Sequence, residues 1–161
     1  MCNWYVIYTM PNYEKKIQST LLQRKIETFL PLHQVVRQWS DRRKTLDVPI
    51  FPNYLFVYTT NKDRYPILDV PGVCKFISHD KKPVILCEDQ ISLIKRIVVE
   101  PQARVEEDLV TGDNVEIIEG PLKGLKGIVF EKKGKSRLAV KVEAINQVVS
   151  VEIDLHLIRK L

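Results

Sequence analysis

The first apolar run, Trp4 to Tyr8, alternates as a strand does, with Trp4, Val6 and Tyr8 on one side and Tyr5 and Ile7 on the other. The period then changes. Tyr13, Ile17 and Leu21 recur every four residues with Leu22 beside them, while Lys15, Lys16, Ser19 and Gln23 fall elsewhere, which predicts an amphipathic helix. Asn12 is placed to cap that helix, and Glu14 lies in its first turn, where the helix dipole favours an acid. "ETFLPLHQVV" predicts a second strand broken by Pro31, and "FPNYLFVYT" a third, entered through Pro49 and Pro52. "DRYPILDV" reads as a short turn or helix, and Pro71-Gly72 precedes a further strand, "VCKFI". A second amphipathic helix follows in "EDQISLIKRIV", with Ile91, Ile94, Ile97 and Val98 on one face and Glu88 and Asp89 at its start.

From Glu100 to Asp108 the pattern lapses into a proline, four acids and little apolar content, as in a linker. Beyond it, "NVEIIEG", "KGIVFEKK", "RLAVKVE", "VVSVEI" and "LIRKL" are short alternating runs separated by Gly, Asn and Lys turns. Strands so short and so many hide their edges by closing into a small barrel. The expected organisation is an α+β domain over residues 1–99 (an antiparallel sheet with helices), a linker at 100–108, and a small all-β barrel domain at 109–161.

The third strand raises a question about its faces. Tyr54, Phe56 and Tyr58 point one way and Leu55 and Val57 the other, so both sides are apolar. The aromatics are either core or a surface offered to something else. Two helices on one face cover only one side of the sheet, so the second apolar face is expected to meet the other domain, a partner or water.

Composition narrows the chemistry. A net charge of +5, from 25 basic and 20 acidic residues, permits nucleic-acid contact without establishing it. The basic residues concentrate in "RQWSDRRK", where Arg37, Arg42, Arg43 and Lys44 surround Trp39. That segment is either a phosphate-tracking surface with an indole to stack on a base, or a solvated hairpin tip. Lys15, Lys16 and Gln23 on the polar helix face are further candidates.

Three scattered histidines, and three cysteines without CxxC spacing, give no metal-ligand pattern and suggest reduced thiols. "GKS" at Gly134–Ser136 lacks the glycine of a P-loop, since Val129 stands in its place, and it falls between two strands rather than at a helix start. No catalytic residue, metal or cofactor is expected. Apolar runs are shorter than the roughly 18–20 residues of a membrane span, and the N-terminus lacks a signal-peptide pattern. A cytoplasmic, monomeric protein without membrane contact is the expectation.

Gly112, Val115, Gly120, Gly124, Gly127 and Val129 resemble the KOW motif of SH3-like barrels in transcription and ribosomal proteins. Preceded by "WYVIYTMPNYEKKI", "FPNYLFV" and "PGVCKFI" in that order, the whole chain resembles the NusG family of bacterial transcription elongation factors, whose first half is an NGN domain. "FPNYLFV" and the short N-terminus before Trp4 are most similar to specialised paralogues such as RfaH and UpxY.

The resemblance implies an elongation and antitermination factor that binds the clamp helices of the largest RNA polymerase subunit and reduces pausing and termination. It would act on particular operons, polysaccharide operons among them. Tyr8, Tyr54 and Phe56 match the residues of the polymerase-binding depression, and Tyr58 shares their face. The polar helix face and the basic hairpin would lie near upstream and non-template DNA. The barrel would recruit a ribosome or a termination factor. A general NusG acting at most genes, or a KOW-type RNA- or ribosome-binding accessory protein, are the alternative readings.

Overall fold

The computed structural model describes residues 1–108 and 110–161; Leu109, the first residue of the expected barrel domain, lies outside them. Its first half holds β1 (Cys2–Thr9), α1 (Glu14–Gln23), β2 (Glu27–Phe29), β3 (Leu32–Gln38), β4 (Arg43–Pro49) and β5 (Tyr54–Thr60). After a 3-10 turn at Tyr65–Asp69 come β6 (Val73–Phe76), β7 (Ser78–His79), β8 (Lys82–Pro83), β9 (Ile85–Leu86) and α2 (Glu88–Val98). The principal sheet runs β2-β5-β1-β6, with β9 also paired to β1, and these pairings are antiparallel. β3 and β4 form a separate two-stranded arm. No helix among the described residues is long and apolar enough to cross a membrane.

The two helices divide the sheet between them, rather than sharing one side. α1 sends Ile17 and Leu21 into a core with Tyr5, Ile7, Leu55 and Val57, and α2 sends Ile91, Ile94 and Ile97 into another with Trp4, Val6 and Phe56. Each helix has one apolar stripe and the sheet has two apolar faces, so this arrangement buries both.

The start of α1 also differs from expectation. Tyr13 occupies the N-cap position and Asn12 adopts a left-handed conformation (φ 66°), so Asn12 does not cap the helix. The carboxylate of Glu14 turns inward instead and accepts a hydrogen bond from the Asn53 backbone N–H at 3.1 Å. Asn53, itself left-handed at φ 76°, donates its side-chain amide to the Thr9 carbonyl at 3.0 Å. The turn at Pro52–Tyr54 thus fastens β1, α1 and β5 at one point.

Gly72 closes the same end. Its φ is +96°, and a Cβ there would come within 2.2 Å of the Tyr13 ring. Gly72→Ala is expected to destabilise the protein by about 1–3 kcal/mol through positive-φ strain and the displaced ring. Urea denaturation would read this as a lower midpoint at unchanged slope, and a wild-type midpoint would show that the Tyr13 ring moves freely.

The second half is a six-stranded antiparallel sheet, β10 (Arg104–Glu106), β14 (Gln147–Glu152), β13 (Lys135–Val142), β12 (Lys126–Lys132), β11 (Asp113–Ile117) and β15 (Ile158–Lys160), in that spatial order. The expected linker therefore contributes a strand: Arg104–Glu106 pairs with β14. Its acids hid the assignment, because Glu106 is buried by ion pairing rather than by apolar packing. Glu106 meets Arg104 at 3.0 Å and Lys132 at 2.9 Å, and it accepts the Ser150 hydroxyl hydrogen bond. Arg137, equally buried, donates to Ser150 Oγ at 2.9 Å and to the Gln102 carbonyl at 2.7 Å. Burial alone would push the Glu106 carboxyl up; donation from Ser150, Lys132 and Arg104 outweighs it and holds the group at about 2.

Candidate functional site: an aromatic sheet face and a basic arm

In the antiparallel pair β1–β5, Trp4 stands opposite Tyr58, Val6 opposite Phe56, and Tyr8 opposite Tyr54. Directly opposed residues share a face. β2 extends it by setting Phe29 beside Phe56, rings stacked with centroids 5.8 Å apart. α2 covers the middle of this face. The Trp4 indole N–H donates to Glu88 Oε1 at 3.0 Å, and the Lys95 ammonium lies 5.8 Å from the Trp4 ring and 5.3 Å from Phe29.

The four residues expected to dock a partner are thereby separated. Phe56 is fully buried beneath α2, where it supports the face from below and presents no surface. Tyr8 and Tyr54 remain half-buried, edge-to-face at 5.5 Å, and Tyr58 is half-buried against Trp4 at 5.2 Å. Burial, and secondarily the neighbouring Tyr8, pushes the Tyr54 phenol above its ordinary pKa. Both factors disfavour a phenolate, so Tyr54 offers a neutral hydroxyl on an apolar ring, a group suited to an interface that is apolar with a wet edge.

The basic segment forms the tip of the β3–β4 arm. Arg37 stands opposite Lys44 and so shares its face, whereas Arg43 pairs with Gln38 on the reverse side. Trp39, at the turn, carries the Lys44 ammonium 4.5 Å and the Arg42 guanidinium 5.4 Å from its ring centroid. Arg37, Trp39, Arg42 and Lys44 thus gather on one side of the arm, and Arg43 does not join them. Lys15 of α1 reaches the base of the arm by donating to the Asp47 carbonyl. Lys16 instead sits over the Tyr13 ring at 5.3 Å, and Gln23 is exposed at the far end of α1.

In the barrel, Val115 is buried and Val129 half-buried. Gly112 and Gly127 lie where a Cβ would meet the Val129 and Ala139 carbonyl oxygens at 1.9 and 2.3 Å. Gly120 and Gly124 have positive φ in the loop between β11 and β12. These glycines therefore shape the barrel and its loop. Arg96 of α2, which the sequence did not single out, donates to the Pro121 and Lys123 carbonyls of that loop at 3.1 and 2.7 Å. An arginine on the polar side of an amphipathic helix carries no signal that distinguishes such a contact from solvation.

A family model described as "Transcription termination factor nusG" matches residues 2–95. The chain is 24% identical to the transcription termination/antitermination protein NusG of Halalkalibacterium halodurans, over 99% of its own length and 98% of the relative's. It is 25% identical to the protein of the same description in Lactococcus lactis, over 95% and 90%. A solved structure of Thermotoga maritima NusG superposes with a TM-score of 0.64 at 22% identity, covering all of this chain and 98% of that one, a likeness of fold.

Proposed function

From the premise that this chain belongs to the NusG family of transcription termination and antitermination factors, we propose that it rides on RNA polymerase, docking the Tyr8–Tyr54 end of its aromatic face on the clamp helices of the largest subunit. The observation that carries this reading is a half-buried tyrosine pair at the uncovered end of a face whose centre is sealed by α2. Phe56 holds that pair in place from within the core, and Tyr58 lies beyond Phe56 on the same face, beside Trp4 and away from the pair. By binding the closed clamp more tightly than the open, paused state, the protein shifts the enzyme toward elongation, since a ligand moves an equilibrium only by its differential affinity.

The basic face of the arm then lies against upstream and non-template DNA, with Arg37, Arg42 and Lys44 on phosphates and Trp39 available to stack on a base. Lys15 supports the base of the arm; Lys16, Gln23 and Arg43 are subsidiary contacts. The barrel recruits a second partner, a ribosome or a termination factor, at the raised effective concentration that tethering provides. The protein acts as a cytoplasmic monomer without catalytic activity.

Arg42→Ala with Lys44→Ala is expected to reduce the salt dependence of binding to elongation complexes by about one to two units of log–log slope, while Arg43→Ala has a smaller effect. Identical slopes for the double variant and wild type would return the arm to a solvated role. On a pause-bearing template, the purified protein should shorten pauses by the host polymerase, and unchanged pausing would contradict the reading.

The "FPNYLFV" stretch favours a specialised paralogue serving particular operons. The whole-length likeness to proteins described as transcription termination/antitermination protein NusG is equally consistent with service at most genes. Genome-wide occupancy separates the two: a few long polysaccharide operons for the specialist, most transcribed genes for the general factor.

A further inference from the structure

Beside the barrel, the link from α2 to β10, the loop between β11 and β12, and the turn at Leu155–Leu157 enclose an open groove of about 720 Å³. Its apolar lining includes the buried Ile117 and Leu122 and ends at Leu155, a leucine 60% exposed. Its charge opposes that of the chain. Among the described residues, Glu100, Glu119, Glu152 and Asp154 line it against Lys135 and the imidazole of His156, in a protein whose net charge is +5. Glu152 is engaged by Lys135 at 3.7 Å and Arg137 at 3.6 Å, whereas Glu100, Glu119 and Asp154 form no ion pair among the described residues.

We propose that this groove is a docking site for an arginine- or lysine-bearing segment of a partner protein, seated by an apolar side chain against Leu122 and Leu155. The proposal rests on the reading that the barrel recruits a second partner, and it gives that partner its chemistry. An apolar floor with a charged, water-accessible rim is the anatomy of a protein interface. The unpaired acids select a cationic segment and repel nucleic acid and anionic membrane, the polyanions to which the opposite charge on the β3–β4 arm is suited. The two surfaces therefore divide the molecule's contacts by sign, polyanion at the arm and basic protein at the barrel.

The test uses the full chain and two synthetic hexapeptides, one alternating leucine with arginine and one alternating leucine with glutamate, followed by amide NMR at low salt. The arginine peptide alone should give saturable shifts centred on Glu119, Asp154 and Leu155. Affinity should fall at least tenfold in Glu119→Lys with Asp154→Lys, a variant that alters only exposed side chains. Equal binding of both peptides, shifts spread over the whole surface, or unaltered affinity in the variant would overturn the proposal. Concentration-dependent shifts at the same residues without peptide would overturn it too, by showing a second copy of the chain in the groove. Polymerase binding by the same variant should stay at the wild-type level. If it does while the peptide fails to bind, the groove assignment alone is lost, whereas failure of the wild-type protein to bind polymerase counts against the proposed function.

Discussion

Phe56→Ala is expected to cost about 3–5 kcal/mol of folding stability, the range for removing a fully buried phenylalanine. The side chain has no exposed surface, stacks on Phe29, and packs in the core that holds Ile91, Ile94 and Ile97 of α2. Alanine would leave a cavity between sheet and helix that a β-sheet backbone closes only in part. For a chain of this length the melting temperature should fall by roughly 10 °C, and the urea midpoint should fall in step. A loss under about 1 kcal/mol would mean that α2 does not seal this part of the face. The variant is thus a test of the core and a poor test of docking, because any loss of polymerase binding would follow from a damaged fold.

Glu106→Gln is expected to remove about 3 kcal/mol near neutral pH, taking 1.36 kcal/mol for each unit by which the folded carboxyl lies below its ordinary value. The sign follows from the direction of the shift. A carboxyl held at about 2 when folded and near 4.5 when unfolded stabilises the protein fully above 4.5 and loses that contribution as pH falls toward 2. Wild type should therefore lose stability progressively through that window, and the glutamine variant should lose less there because it has no such group to protonate. The figure of about 3 kcal/mol already contains the loss of the charge facing Arg104 and Lys132, because the amide, like the protonated acid, presents them with a neutral oxygen. Parallel pH profiles for the two proteins would refute the role given to this network.

Much of the fold was legible because period and burial agree. The Ile91, Ile94 and Ile97 stripe placed α2 at Glu88–Val98, where the structure has it, and the alternating runs after Gly112 became barrel strands. The strand at Arg104–Glu106 was not legible, since its inward residue is an acid and pattern reading treats acids as exposed. The partition of helices between the two faces was equally hidden: each helix shows that it has an apolar stripe, not which side of the sheet it meets. At the candidate site, alternation put Phe56 with Tyr54 and Tyr58 correctly, but which aromatic is buried depends on α2, more than thirty residues on. The hairpin register separated Arg43 from Arg42 and Lys44, a distinction that a run of basic letters cannot carry.

The central claim rests on Tyr8 and Tyr54. The most direct measurement is equilibrium binding of the full chain to RNA polymerase elongation complexes from its own host, wild type against Tyr8→Ala with Tyr54→Ala, with the fold of the variant confirmed by circular dichroism and thermal melting. Aromatic anchors at the centre of an interface each carry about 1–2 kcal/mol or more, so the account predicts affinity reduced at least tenfold in the folded variant. Binding at the wild-type level by that variant would contradict it, and would remove the aromatic face from the polymerase interface.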